Sequence, residues 1–225
     1  MKKLSCYTLP RTHLLLIFCC CFIFFTASHA QVKEFEGVIS YTHLVTAIEK
    51  DYDVSSDYGY MGKQSEFYYK AGKYKWLNQN AFIEMDLFRS RDTIEFLKMQ
   101  PSDTIMYVPN NFSNERVIDY KILPHADTVM GYVCDVLVIK AKGQGGEWTR
   151  RLSFSDKFPV DPAFFAHYTY NSTNVIYSLM KALPLKIELL YPNRKITYTA
   201  TKTDKKAVDD KWFEFSADTK FKKLF

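Results

Sequence analysis

Cysteine is nearly absent from the body of this chain. Cys6, Cys19, Cys20 and Cys21 fall within the first 21 residues, and only Cys134 lies beyond them. The rest of the chain therefore has no pair with which to close an internal disulfide. An apolar run long enough to cross a bilayer is also missing. The longest, Leu14 to Phe25, has 12 residues, whereas a spanning helix needs about 18 or more. There is no internal repeat, no low-complexity tract and no linker that would separate two domains. No Gly-x-Ser-x-Gly elbow places a serine nucleophile, and no His-x-x-x-His pair makes a zinc signature.

What is there begins with an address. Lys2, Lys3 and Arg11 precede the apolar run, and Thr26-Ala27-Ser28-His29-Ala30 follows it with small residues at Ser28 and Ala30. This is the pattern of a cleavable secretory signal over residues 1–30, with cleavage expected between Ala30 and Gln31. The cysteine run inside it does not make a lipidation site, because Phe18, not a small residue, precedes Cys19. Residues 31–225 are expected to form a single domain, exported to the periplasm or beyond, with no transmembrane anchor after cleavage. That part carries 27 basic and 25 acidic residues, a balance of +2. So even a mixture excludes the concentrated basic face that nucleic-acid binding requires. The tail Lys220-Phe221-Lys222-Lys223 reads as a solvated terminus.

Period-two alternation dominates the remainder. Lys73-Tyr74-Lys75-Trp76 puts two aromatics on one face and two lysines on the other, and Ala71-Gly72 turns the chain back from Ser65–Lys70. Ala81, Ile83, Met85 and Leu87 share a face opposite Glu84 and Asp86. Further strands are expected over 93–99, 104–108, 115–122, 131–140, 148–155, 185–191 and 195–202, joined by short turns such as Gly143–Gly146. Helix is sparse. Asp161-Pro162-Ala163 opens a short turn to about His167. A second helix is expected from Ser172 or Thr173 to Leu183, where Pro184 stops it. These elements predict a mainly β (α+β) fold: a curved antiparallel meander sheet forming an incomplete barrel, with one or two helices against its concave face.

Candidate sites are few. His43, His125 and His167 are scattered. Cys134 shares a face with Tyr132, Val136 and Val138 and reads as a small core residue. Glu84 and Asp86, ~7 Å apart on one strand face, read as solubilising charge. Asp51, Asp53 and Asp57 fall in a polar loop without EF-hand spacing. Asn111-Phe112-Ser113 and Asn171-Ser172-Thr173 match the glycosylation sequon. No cofactor or metal is implied, and no catalytic residue stands out.

Several short motifs carry a resemblance: Phe35–Tyr41 just after the signal, Tyr69-Lys70-Ala71-Gly72-Lys73-Tyr74, Thr128–Cys134, Pro184–Glu188 and Val208–Phe215. In this order they resemble a family of uncharacterised exported bacterial proteins related in architecture to the LolA/LolB lipoprotein carriers of the periplasm. The resemblance implies a LolA-like half-barrel over 31–225, lidded by helices, and a lipid or lipoprotein acyl chain as partner. The expectation is thus a non-enzymatic envelope protein burying an apolar ligand in a half-barrel cavity. Trp76, Met85, Tyr107, Leu179 and Tyr198 are its expected lining residues. The alternative is a structural or interaction protein of the envelope with a solidly packed barrel and no ligand.

Overall fold

Tight turns between alternating strands build one sheet, in a computed structural model that describes residues 33–224. The expected signal segment, its Ala30–Gln31 cleavage point and the four early cysteines lie outside those residues. The first half contributes β1 (Gly37–Ala47), β2 (Gln64–Lys70), β3 (Lys73–Asn78), β4 (Ile83–Arg89), β5 (Ile94–Met99) and β6 (Ile105–Pro109). The second contributes β7 (Glu115–Val129), β8 (Tyr132–Gly143), β9 (Gly146–Pro159), β10 (Ala182–Leu190) and β11 (Arg194–Lys205). Each half is an antiparallel meander, and β1 joins them by pairing with β11 from Gly37–Lys205 to Ala47–Arg194. A last strand, β12 (Phe221–Lys223), lies parallel to β6. The β2–β3 hairpin shows how local sequence sets register. Ala71 and Gly72 both have positive φ, 43° and 71°, the primed-turn geometry that matches strand twist. Any side chain at Gly72 would collide with Phe164.

Among the described residues the sheet has 12 strands in the order β12-β6-β5-β4-β3-β2-β1-β11-β10-β9-β8-β7 and stays open. This corrects the expected incomplete barrel: β7 and β12 are separate ends, and no half-barrel wall encloses a cavity. The edges are built against further pairing. β7 is exposed along most of its length and carries Arg116, Asp119 and Lys121. Its register slips between Leu123 and Asp127, where Pro124 lacks a backbone donor and His125 has φ 52°. Charges, proline and bulges are the usual means of blunting a sheet edge.

Both faces of the first meander are buried. On one face a large core gathers Tyr41, Phe67, Tyr69, Tyr74, Phe88, Leu137, Leu152 and Leu185. It lies beneath the connection from β9 to β10, which holds a 3-10 turn at Pro162–Phe165, a second at Tyr170–Ser172 and a short helix. With α1 at Ser55–Met61, that helix is α2, Thr173–Met180. It ends earlier than the expected 183, because Lys181 turns left-handed at φ 50° and Leu183 and Pro184 belong to β10. The shorter turn at 162–165 follows the expected cap, Asp161 accepting from the Ala163 amide at 2.9 Å. On the opposite face Met85, Leu87, Phe96 and Ile105 pack against Val208 and Phe213 of the C-terminal segment. That segment includes a 3-10 turn at Asp210–Phe213. Among the described residues no helix is long and apolar enough to cross a membrane.

Candidate binding cleft

Because β4 is buried on both faces, its acidic residues do not share one wet surface. Glu84 pairs outward with Lys98 at 3.0 Å. Asp86 instead sits opposite Trp76 of β3, on the face of the large core. On the next strand Glu95, opposite Phe88, comes to the same face and is only 4% exposed. The structure thus corrects the reading of Asp86 as solubilising charge and adds a partner that sequence reasoning missed. A signal for both was present. Asp86 lies among Met85, Leu87 and Phe88, and Glu95 among Ile94, Phe96 and Leu97. An acid inside a strand apolar on both faces must be buried and must find partners.

The partners are tyrosines. Tyr74 of β3 donates its hydroxyl to Glu95 Oε1 at 3.2 Å, and Tyr168, from the covering connection, donates to the same oxygen. The two hydroxyls lie 3.1 Å apart. Glu95 and Tyr74 are the groups that bear on the Asp86 carboxyl. Burial first, then the neighbouring Glu95 carboxyl, hold the Asp86 carboxyl well above the usual carboxylate range. Two like charges so close cannot both ionise cheaply, so Asp86 keeps its proton while Glu95 collects hydroxyl donors. Burial likewise pushes the Tyr74 and Tyr168 hydroxyls well up. Asp86 Oδ1 is shielded from solvent and has no hydrogen-bond partner.

Around this pair the face is aromatic. Trp76 stacks on Tyr41 at 5.3 Å and 17°, and meets Phe67 and Tyr198 edge-on at 5.1 and 5.8 Å. Tyr41 is fixed by donating to the Pro184 carbonyl at 2.6 Å. Tyr198 packs on the His43 ring at 4.5 Å. The His43 tautomer follows from its contacts. Nδ1 donates to the Gly62 carbonyl at 3.1 Å, so Nε2 accepts from Ser65 Oγ at 2.8 Å. Burial accordingly lowers the imidazole pKa.

Two adjoining hollows open on this face, of about 470 and 300 Å³. They share Trp76, Asp86, Glu95, Asn171, Leu189 and Tyr191, so the carboxyl pair stands where they meet. Each arginine on the walls has its own counter-ion. Arg150 is paired with buried Glu115 and donates to the Asn171 carbonyl. Arg194 Nε lies 3.0 Å from Asp57, with the guanidinium 4.4 Å over the Tyr191 ring. Asn171 is held left-handed, φ 52°, by a reciprocal amide pair with Asn114 at 2.7 and 2.8 Å. A larger hollow of about 730 Å³ beside the cleft is lined mainly by the polar loop 78–82 and gathers no comparable chemistry.

Of the expected lining residues, Trp76 and Tyr198 stand on the cleft. Met85 and Tyr107 lie on the opposite face, in the core under the C-terminal segment. Leu179 packs on the large core from α2 without lining either hollow. Cys134 is fully buried. His125 is exposed beside Asp135, and His167 is exposed on the connection. Asp57, expected in a polar loop, lies instead in α1, where Tyr52 donates to it at 2.7 Å. The lipid-filled half-barrel does not survive: the cleft is an open, aromatic and acidic hollow on an open sheet. Its alternative, a solidly packed barrel, falls with it.

No protein-family model matches the chain, and no curated protein is similar to it in sequence. Among the solved structures that align with it are two that cover most of it. PNGF-II does so at 13% identity and TM-score 0.44, covering 84% of this chain, which spans only 31% of that protein. A LolA superfamily protein from Nitrosomonas europaea aligns at 10% identity and TM-score 0.40, covering 81% of this chain and 91% of its own. The functional reading therefore rests on the cleft itself.

Proposed function

We propose that this is an exported binding protein that takes a small, ring-sized polar molecule in the cleft and does no chemistry on it. One observation carries the reading: two neighbouring buried carboxyls, Glu95 hydrogen-bonded by two tyrosines, meet a fixed aromatic wall where two hollows join. Concave sites that mix aromatic area with a few convergent polar groups are the usual form of small-molecule pockets. The aromatic rings supply contact area at low entropic cost, and the polar groups fix orientation. Binding without chemistry is supported by what faces the cleft. Among the described residues, no lining serine, cysteine or lysine is placed beside a base, as a nucleophile would need.

Trp76 makes the test direct. Its emission and the thermal stability of the protein are followed against panels of neutral sugars, organic acids and organic ammonium compounds. At least one class is expected to raise Tm and perturb the Trp76 signal, and Trp76→Ala removes both responses. A protein unmoved by every class contradicts the proposal.

A further inference from the structure

We propose that the ligand of this cleft is a small organic cation, an ammonium group seated against Asp86 and Glu95 with its carbon skeleton on the Trp76 ring. The inference rests on the binding role proposed above and narrows it to one chemical class. Charge balance is the first argument. Of the charged side chains on the walls, Arg150 is matched by Glu115 and Arg194 by Asp57. Asp86 and Glu95 are left with no cation of their own; only hydroxyls answer them. A buried carboxylate without a counter-ion is costly, and a cation from outside removes that cost.

The second argument is an orphan atom. Asp86 lines both hollows, and its Oδ1 is out of solvent without a donor. An ammonium N–H supplies that donor, whereas a carboxylate ligand would bring only further acceptors and negative charge. The wall adds to this: aromatic faces attract cations through the ring quadrupole, and tryptophan is the strongest platform for it. A neutral sugar could use the rings but would leave the carboxyl pair as it stands.

Proton linkage follows. The groups facing the pair are Tyr74 on β3, Tyr168 and Tyr170 on the connection and Tyr177 on α2, all with hydroxyls pushed up by burial. They stay neutral through the working pH range, as do the matched ion pairs on balance. The proton that burial and the neighbouring Glu95 favour on Asp86 is then the one that an arriving cation displaces. Binding releases it, and affinity rises with pH until Asp86 is ionised in the free protein.

The test compares three probes of one size and shape: benzylamine, benzyl alcohol and benzoate, titrated into the full protein by calorimetry in buffers of different ionisation enthalpy. Benzylamine is expected to bind about tenfold or more tightly than benzyl alcohol, with benzoate weakest and up to about one proton released. Asp86→Asn and Glu95→Gln are expected to abolish the preference, so that benzylamine binds no more tightly than benzyl alcohol. Should either variant fail to fold, the ranking on the unaltered protein decides alone. Equal binding of benzylamine and benzyl alcohol, or preference for benzoate, overturns the cation assignment and leaves the binding role standing. No binding of any of the three overturns the cation assignment too, while the binding role falls only if the wider panel of sugars, acids and ammonium compounds also leaves the protein unmoved.

Discussion

Tyr168 donates its hydroxyl to the Glu95 carboxylate across 73 residues of sequence. Glu95 stands on β5, in the first meander. Tyr168 belongs to the connection that leaves β9, in the second. The bond therefore fastens the covering segment to the far half of the sheet, directly beside the cleft. It also uses one of the few acceptors buried in the core, so its loss is felt twice: as a missing bond and as an under-satisfied charge.

Tyr168→Phe is expected to destabilise the fold by about 2 kcal/mol, the range for a hydrogen bond to a charged group. Urea denaturation followed by circular dichroism measures it. A change within experimental scatter would show that Tyr74 alone satisfies Glu95.

Phe165 is fully buried, stacked on Phe88 at 5.4 Å and on Tyr177 at 3.8 Å. It is the apolar counterpart of the Tyr168 bond. Phe165→Ala is expected to cost about 3–5 kcal/mol through the cavity it leaves, and to speed hydrogen exchange in residues 160–181 more than in β8 and β9. Uniform loss of protection would mean that the segment has no separate stability.

Glu115 and Arg150 form an ion pair with almost no exposure. Glu115→Ala strands the guanidinium and is expected to cost about 3–5 kcal/mol, whereas the double change Glu115→Leu with Arg150→Met costs far less. A double-mutant cycle reads the difference. Strict additivity of the two changes would contradict the pairing.

Asp86 also sets a pH dependence. Its folded pKa is raised, so the folded state holds a proton that the unfolded chain releases at about pH 4. The stability this gives is complete below about pH 4 and is lost as pH rises through the folded pKa, at up to about 1.4 kcal/mol per pH unit. His43 works the other way. Its pKa is lowered by burial, so the stability it contributes is present above about pH 6.5 and lost as pH falls. Asp86→Asn is expected to remove the decline above pH 4 and to raise Tm at neutral pH. A variant with the parent's pH profile would contradict the raised pKa.

Much of the strand pattern was legible, because turns and alternation are local. Lys73–Trp76 faces as its sequence says, and the Asp161 cap sits where the Asp-Pro pair put it. Closure was not legible, since it depends on strand tilt and shear across the whole sheet, which no short motif encodes. The α1 helix escaped because Ser55–Met61 contains glycine and acid and is held by tertiary contacts, the Val45 amide to Tyr58 Oη at 3.0 Å and Arg194 to Asp57. The stripe through Leu183 overran α2 because an apolar residue after the helix can fall on the same face by chance. The carboxyl pair was legible only in the apolar residues on either side of each acid. Asp86 alternates correctly as a polar position, and only the burial of both faces of β4 turns it inward.

Asp86, beside Glu95 in the cleft, is expected to hold a proton that an organic cation displaces. Carbon-13 NMR titration of the labelled carboxyl groups, without and with benzylamine, reads it directly. Asp86 is expected to titrate well above the usual carboxylate range in the free protein and to move down when benzylamine is present. An Asp86 carboxyl that titrates near pH 4 and ignores benzylamine would contradict the account.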